Sequence, residues 1–160
     1  MQGNTAVISQ LNKVLTLELT SINQYFLHSR MCRSWGFEKL THKAYKKSIK
    51  DMKQSDDLIE RILFLDGLPN LQHLERLRIG ENATEIFGCD TTLQQEQLKL
   101  LRESIALCET EQDYISRQLL EGILEYEEEH LDWIGTQQHL INEIGIEKYL
   151  QTVIHTGKGE

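Results

Sequence analysis

The sequence predicts an all-α protein, a four-helix bundle with a long crossover and a short fifth helix. Three observations predict it. The chain of 160 residues has one proline and only 7% aromatic residues, and it is rich in Leu, Glu, Gln and Lys, which lose little rotamer freedom in a helix. Apolar residues recur at three- and four-residue spacing through four long segments. The strongest breaks, "WGFEK" at Gly36, "DGLPN" at Gly67 and Pro69, and Gly145, fall between those segments. The length fits a single domain, 1–160, able to bury a substantial core.

Asn4 or Thr5 caps a first helix running to about Ser34, with Ile8, Leu11, Leu15, Leu19, Ile22 and Phe26 at helical spacing. A second helix, from about Leu40 to Leu65, stops at Gly67 and Pro69. Residues 67 to 82 hold Leu71, Leu74, Leu77 and Ile79 without a long helical register, so they form a linker. A third helix covers roughly 83 to 111, with Leu98, Leu101, Ile105 and Cys108 on one stripe, and Gly88 is expected to loosen its early turn. The fourth, roughly 113 to 144, carries Leu120, Ile123, Leu124, Leu131 and Ile134. "IEKYLQTVI" is a short fifth helix, and "HTGKGE" is expected to fray. At about 1.5 Å per residue the long helices each span roughly 40 Å.

The net charge of −8 argues against a nucleic-acid surface and suits a protein that attracts cations. No apolar run approaches the ~18 residues of a membrane span, and the start of the chain lacks a signal-peptide pattern. Cys32, Cys89 and Cys108 are odd in number and widely spaced. They fit reduced thiols of a cytoplasmic protein, not a disulfide frame or a zinc site.

A carboxylate on an inward stripe is costly unless it is paired, protonated or bound to metal. Each long helix places a polar group there: Glu18 in the first, Asp51 and Gln54 in the second, Gln94 in the third, and Glu127 with His130 in the fourth. The last two make a Glu-x-x-His pair, whose i, i+3 spacing puts both on one helical face. A di-iron carboxylate site uses one Glu from each of two helices and a Glu-x-x-His from each of the other two. The alternative is that these side chains only hydrogen-bond one another, with the amides of Gln54 and Gln94 satisfying Glu18 and Glu127 in a metal-free bundle.

"LNKVLTLELTSINQYFLHSRM", "IERILFLDGLPNLQ", "DYISR" and "EEEHLDWI" resemble the bacterioferritins, and the resemblance runs along essentially the full length. It implies the ferritin-like version of the bundle and a hollow shell of 24 subunits that stores ferric mineral. It also implies non-covalent haem at the two-fold subunit interfaces, because the sequence has no Cys-x-x-Cys-His. Glu18, Glu127 and His130 match the family's iron ligands. At the second helix "DMKQ" replaces the family's Glu-x-x-His, with Asp51 for Glu and Gln54 for His, and Gln94 stands where the family has a Glu. Asp51 is one methylene short, a retreat of roughly 1.5 Å and more than a metal site tolerates. The resemblance therefore implies a degenerate ferroxidase centre, in which Glu18, Asp51, Glu127 and His130 can at most hold a lone divalent ion.

Met52 belongs to a second apolar face of the second helix, with Tyr45, Ile49, Ile59 and Leu63. From pattern alone that face packs against a neighbouring subunit. The resemblance adds that Met52 matches the methionine that ligates haem, one from each of two subunits, and a thioether ligand raises the haem potential. Lys46 and Lys50 lie where the family can have inner-surface iron ligands, and cations there repel iron. Leu68, Glu81 and Glu85 fall on the surface resembling the docking site for bacterioferritin-associated ferredoxin.

The expectation is a haem-binding shell subunit for iron storage and mobilisation, assembled with a second, ferroxidase-competent subunit type. Two rivals stand beside it: a ferroxidase working at a rearranged di-iron site, and a structural subunit that binds neither haem nor iron. Whether the chain is itself an enzyme is left open by its incomplete ligand set.

Overall fold

The computed structural model describes residues 1–155, so most of the terminal tail, expected to fray, lies outside the described residues. Five helices follow one another: α1 (Thr5–Ser34), α2 (Glu38–Phe64), α3 (Ala83–Thr110), α4 (Tyr114–Ile144) and α5 (Ile146–Thr152). Asn4 caps α1 by accepting from the N–H groups of Ala6 and Val7 at 2.8 and 3.1 Å. At α3, Asn82 accepts from the Glu85 N–H, and the Glu85 carboxylate accepts from the Glu81 N–H and the Asn82 amide. This is a reciprocal cap of the kind formed by a polar residue and a Glu three positions on. Gly88 leaves α3 unbroken, because a helix interior tolerates one glycine when its packed face is continuous. Gly145, at φ +83°, makes the turn that separates α4 from α5.

Contacts along the helices fix their directions. Gly3 N–H donates to Leu65 O, which joins the start of α1 to the end of α2. Tyr25 reaches both Gln94 and His130, and Lys47 reaches Glu127. The helices form two antiparallel pairs, α1 with α2 and α3 with α4, joined by the crossover of residues 65–82. The four-helix bundle with short fifth helix is the architecture that the sequence predicted.

Two apolar clusters fill the bundle at opposite ends. One gathers Leu11, Leu15, Leu58, Ile62, Leu101 and Leu120; the other gathers Cys32, Leu40, Ile86, Phe87, Ile134 and Tyr149. Burial pushes the thiols of Cys32 and Cys108 up to about 12 and about 11, which makes both inert. Between the two clusters lies a buried polar layer, drawn from all four long helices.

The crossover has no helix of its own and is strapped to α1 by side chains. Asn12 accepts from the Asn70 N–H and donates to Leu68 O, and Thr20 accepts from the Glu75 N–H. Gln24 then accepts from the Arg78 N–H, and His28 Nε2 accepts from the Gly80 N–H. The last three of these residues recur every fourth position, so they share one face of α1. His28 Nδ1 and the Gln24 amide both lie 2.9 Å from Asp90 Oδ1, which ties the strap to α3. A Cβ at Gly80 would lie 2.4 Å from Ile86 N, so only glycine passes there.

One sequence expectation needs correction. Phe26 shares helical spacing with the core residues of α1, yet it is exposed, whereas Tyr25 is buried. The inward stripe of α1 passes through Leu11, Leu15, Glu18, Ser21, Tyr25 and His28. Phe26 is one position, about 100° of rotation, away from that stripe.

Asp113 caps α4 by accepting from the Ser116 N–H and hydroxyl, and it pairs with Arg61 of α2 at 2.9 Å. Partial burial pushes its carboxyl up, but the Ser116 bonds and the Arg61 guanidinium outweigh that and hold it below the usual carboxylate value. A carboxylate depressed on folding contributes stability above its unfolded value and loses it as pH falls through the folded one. Asp113→Ala is expected to cost about 1–2 kcal/mol at neutral pH. In chemical denaturation the gap from the unsubstituted chain should close progressively below the unfolded value of 3.8.

Candidate metal centre

The polar layer is positioned by helical register. In α1, Glu18, Ser21 and Tyr25 follow one another at three and four residues and are all buried. In α2, Lys47, Asp51 and Gln54 do the same. Gln94 and Gln97 point inward from α3, and Glu127 and His130 from α4. The structure thus brings together every residue that the sequence placed on the di-iron positions. Glu18, Asp51 and Glu127 present carboxylate oxygens within 4.8 Å of one another, a separation that fits a divalent cation.

A cation of the chain's own lies among them. Lys47 is 1% exposed, and its ammonium donates to Asp51, to Glu127 at 3.2 Å and to the Ser21 hydroxyl at 3.4 Å. The Ser21 hydroxyl in turn donates to Asp51. The Tyr25 ring lies 4.7 Å from the same Nζ, on a further side of the charge. Burial alone would push the lysine down, but Asp51, Glu127 and Glu18 together reverse this and hold it above its ordinary value. Lys47 is therefore a fixed positive charge.

The two amides act as donors to the remaining lone pairs. Gln94 donates to Glu127 Oε2 at 2.6 Å. Gln54, with its amide nitrogen turned toward the carboxylates, donates to Glu18 Oε2 and Glu127 Oε1, both at 3.0 Å. Gln97 adds a long bond to Glu18 at 3.4 Å. Glu18 has no hydrogen bond to the ammonium. Burial, followed by the charges of Asp51 and Glu127, holds its carboxyl well above the usual range. Burial also pushes Asp51 up, to about 7, with Lys47 and Ser21 opposing the shift. Glu18 thus lacks the direct bond to the ammonium that opposes the rise at Asp51.

His130 faces Tyr25. Its Nε2 lies 3.1 Å from the Tyr25 oxygen, and the Tyr25 hydroxyl donates to Gln94 Oε1. The tyrosine's one hydrogen is used on Gln94, so His130 Nε2 is the donor in that pair. Burial and the cations Lys47 and Lys43 hold the imidazole well below its usual value. Nε2 is thus committed to Tyr25, and Nδ1 is the ring nitrogen that keeps its lone pair.

These residues do not fit a pair of irons. Gln54 and Gln94 spend their amide hydrogens on carboxylates, Asp51 is turned to Ser21 and Lys47, and the ammonium lies between Asp51 and Glu127. Lys47 is also the residue that the sequence reading missed. Its spacing gave the signal, three after Ala44 and four before Asp51 on the inward stripe of α2. The neighbours that did draw notice, Lys46 and Lys50, are both exposed.

The other predicted positions lie outside the centre. Met52 is 52% exposed, on the outer face of α2 with Tyr45 and Leu63. Ile49 and Ile59 of the same face are half-buried. Leu68 is 84% exposed at the start of the crossover, and Glu81 and Glu85 stand at its end, where Glu85 belongs to the α3 cap. Asn12 holds Leu68 and His28 holds Gly80; sixteen residues of α1, roughly 24 Å, separate those anchors. Leu68 and Glu81 therefore stand apart along the length of α1.

A family model described as a ferritin-like domain matches residues 8–144. The chain is 44% identical over 149 residues to bacterioferritin BfrA of Mycobacterium tuberculosis, covering 93% of this chain and 94% of that protein. It is 42% identical over 154 residues to the bacterioferritin of Streptomyces coelicolor, covering 96% and 92% of the two chains. For the bacterioferritin of Brucella melitensis the identity is 41% over 151 residues, with 94% of each chain covered.

Removing the buried ammonium leaves carboxylates without a counter-charge. Lys47→Met is expected to destabilise the fold by about 3–5 kcal/mol, as for one partner of a buried ion pair. Lys47→Met with Asp51→Asn should recover much of that loss, measured as non-additivity in a denaturation cycle.

Proposed function

The chain belongs to the bacterioferritins, within the ferritin-like domain family, and from that premise we propose that it is a haem-binding subunit of an iron-storage shell, with an impaired ferroxidase centre. The observation that carries this reading is a di-iron position filled with the chain's own hydrogen-bond donors while Met52 stands exposed. In this reading 24 subunits enclose the mineral in the cytoplasm. A second, ferroxidase-competent subunit type supplies Fe(II) oxidation.

Met52 fits a non-covalent haem held between two subunits. Its thioether is exposed on an outward face with Tyr45 and Leu63, and two such faces meeting at a two-fold axis would bring two sulfurs together. When bound, the haem supplies a one-electron redox centre whose potential a thioether ligand raises. The chain's own part is to offer the sulfur and to cover the ring with apolar side chains. Leu68 of one subunit with Glu81 and Glu85 of another would offer bacterioferritin-associated ferredoxin an apolar contact rimmed by acids. The roughly 24 Å between the two groups in one chain is the reason for drawing them from two.

The second reading, a ferroxidase at a rearranged site, has one observation in its favour: the carboxylate oxygens of Glu18, Asp51 and Glu127 all lie within 4.8 Å of one another. Stopped-flow mixing of the pure shell with about two Fe(II) per chain separates the two readings. Slow, unsaturable growth of ferric absorbance is expected. A fast burst saturating at about two irons per chain would establish the ferroxidase instead. Separately, Met52→Leu is expected to purify without the haem spectrum of the unsubstituted chain. Undiminished haem in that variant would remove Met52 as the ligand.

A further inference from the structure

Three features of the polar layer fit together around a single charge. The Lys47 ammonium touches groups from two other helices as well as Asp51 on its own. Ser21 and Tyr25 of α1 close further sides. Gln54 and Gln94 direct amide hydrogens at Glu18 and Glu127, supplying donors where metal ligation would otherwise use the lone pairs. Each departure from a di-iron ligand set answers a need created by a metal's absence: one positive charge for the carboxylates, and donors for their free oxygens. A lysine without these surroundings would swing out to water, as lysines almost always do.

We propose that Lys47 is a resident cation that takes the metal's place in this chain, so that the centre is closed to divalent ions and is reopened by removing the ammonium alone. The proposal rests on the family reading above, since it explains how a bacterioferritin subunit keeps its fold with no metal at mid-bundle. The ion that Lys47 excludes is a divalent transition metal, which would need Glu18, Asp51 and Glu127 as oxygen ligands. An ammonium about 4 Å from such an ion, at an effective dielectric near 20, lowers its affinity by well over a hundredfold. The same charge that holds the carboxylates together keeps iron out.

Crystals of the assembled protein and of Lys47→Ala, each soaked in Co(II), give a direct test through anomalous scattering at the cobalt edge. The unsubstituted chain is expected to show no peak among Glu18, Asp51 and Glu127, and Lys47→Ala a single peak there. In solution Co(II) should raise the melting temperature of the variant over an EDTA control more than it raises that of the unsubstituted shell. A peak among the three carboxylates with Lys47 intact would overturn the proposal, because the lysine then yields to metal. A variant that neither holds cobalt nor gains stability from it would also overturn it. Should Lys47→Ala fail to assemble in EDTA, it is refolded with and without Co(II): recovery only with the metal supports the proposal, and failure in both rejects it. The haem absorbance of the same samples reports separately on Met52, so failure of the haem reading leaves this result interpretable.

Discussion

The ammonium of Lys47 lies where three of the four long helices bring three carboxylates together, and the middle of the bundle depends on that charge. Glu18, Asp51 and Glu127 come from three different helices. Without a cation their mutual repulsion and desolvation would drive those helices apart or force protonation at each position. With it, Asp51 and Glu127 each meet the ammonium, and Glu18 is left as the carboxyl that resists ionisation. A wholly apolar layer would hold the bundle at least as well. Lysine is the answer to carboxylates that are already present, and it has no separate claim on stability.

The two apolar clusters lie at either end of this layer and share no buried residue. The outer face of α2 and the crossover are separate again, since the crossover is carried by Asn12, Thr20, Gln24 and His28 of α1. Met52, Leu63 and Leu68 are exposed and face away from the centre. Chemistry at mid-bundle and recognition on the outside are built from different faces of the same helices.

Much of the fold was legible because four helices with strong apolar periods leave little choice of architecture. Asn4, Asn82 and Asp113 start helices where a capping residue precedes a periodic run. Phe26 failed because spacing of three and four residues describes a stripe wide enough to include neighbours on the wrong side, and α1 carries apolar residues nearly all round. The candidate site was legible as a set of inward polar residues, and Gln94 donates to Glu127 while the Gln54 amide, turned with its nitrogen inward, reaches Glu18 and Glu127. Lys47 was not. Its register pointed inward, but a lysine is assigned to the surface by habit, and only the three-dimensional meeting of α1, α2 and α4 displays the pocket of oxygens that receives it. His130 shows a related limit: sequence placed it on the inward face, while the bond from its Nε2 to Tyr25 appears only in three dimensions.

The distribution of donors also bears on how such a centre is held together. Had ligands merely decayed, the carboxylates would face one another with unsatisfied lone pairs, and the layer would be expected to loosen. Instead a positive charge, a serine and two amides meet those lone pairs from three sides, and every carboxyl oxygen group of the trio has at least one donor. Satisfying a buried polar network fully is what makes it rigid, and a half-satisfied one is worse than none. The carboxylates of the centre are thus met by donors of the chain itself, from Lys47, Ser21, Gln54 and Gln94, while Gln97 Oε1 stays buried without a partner.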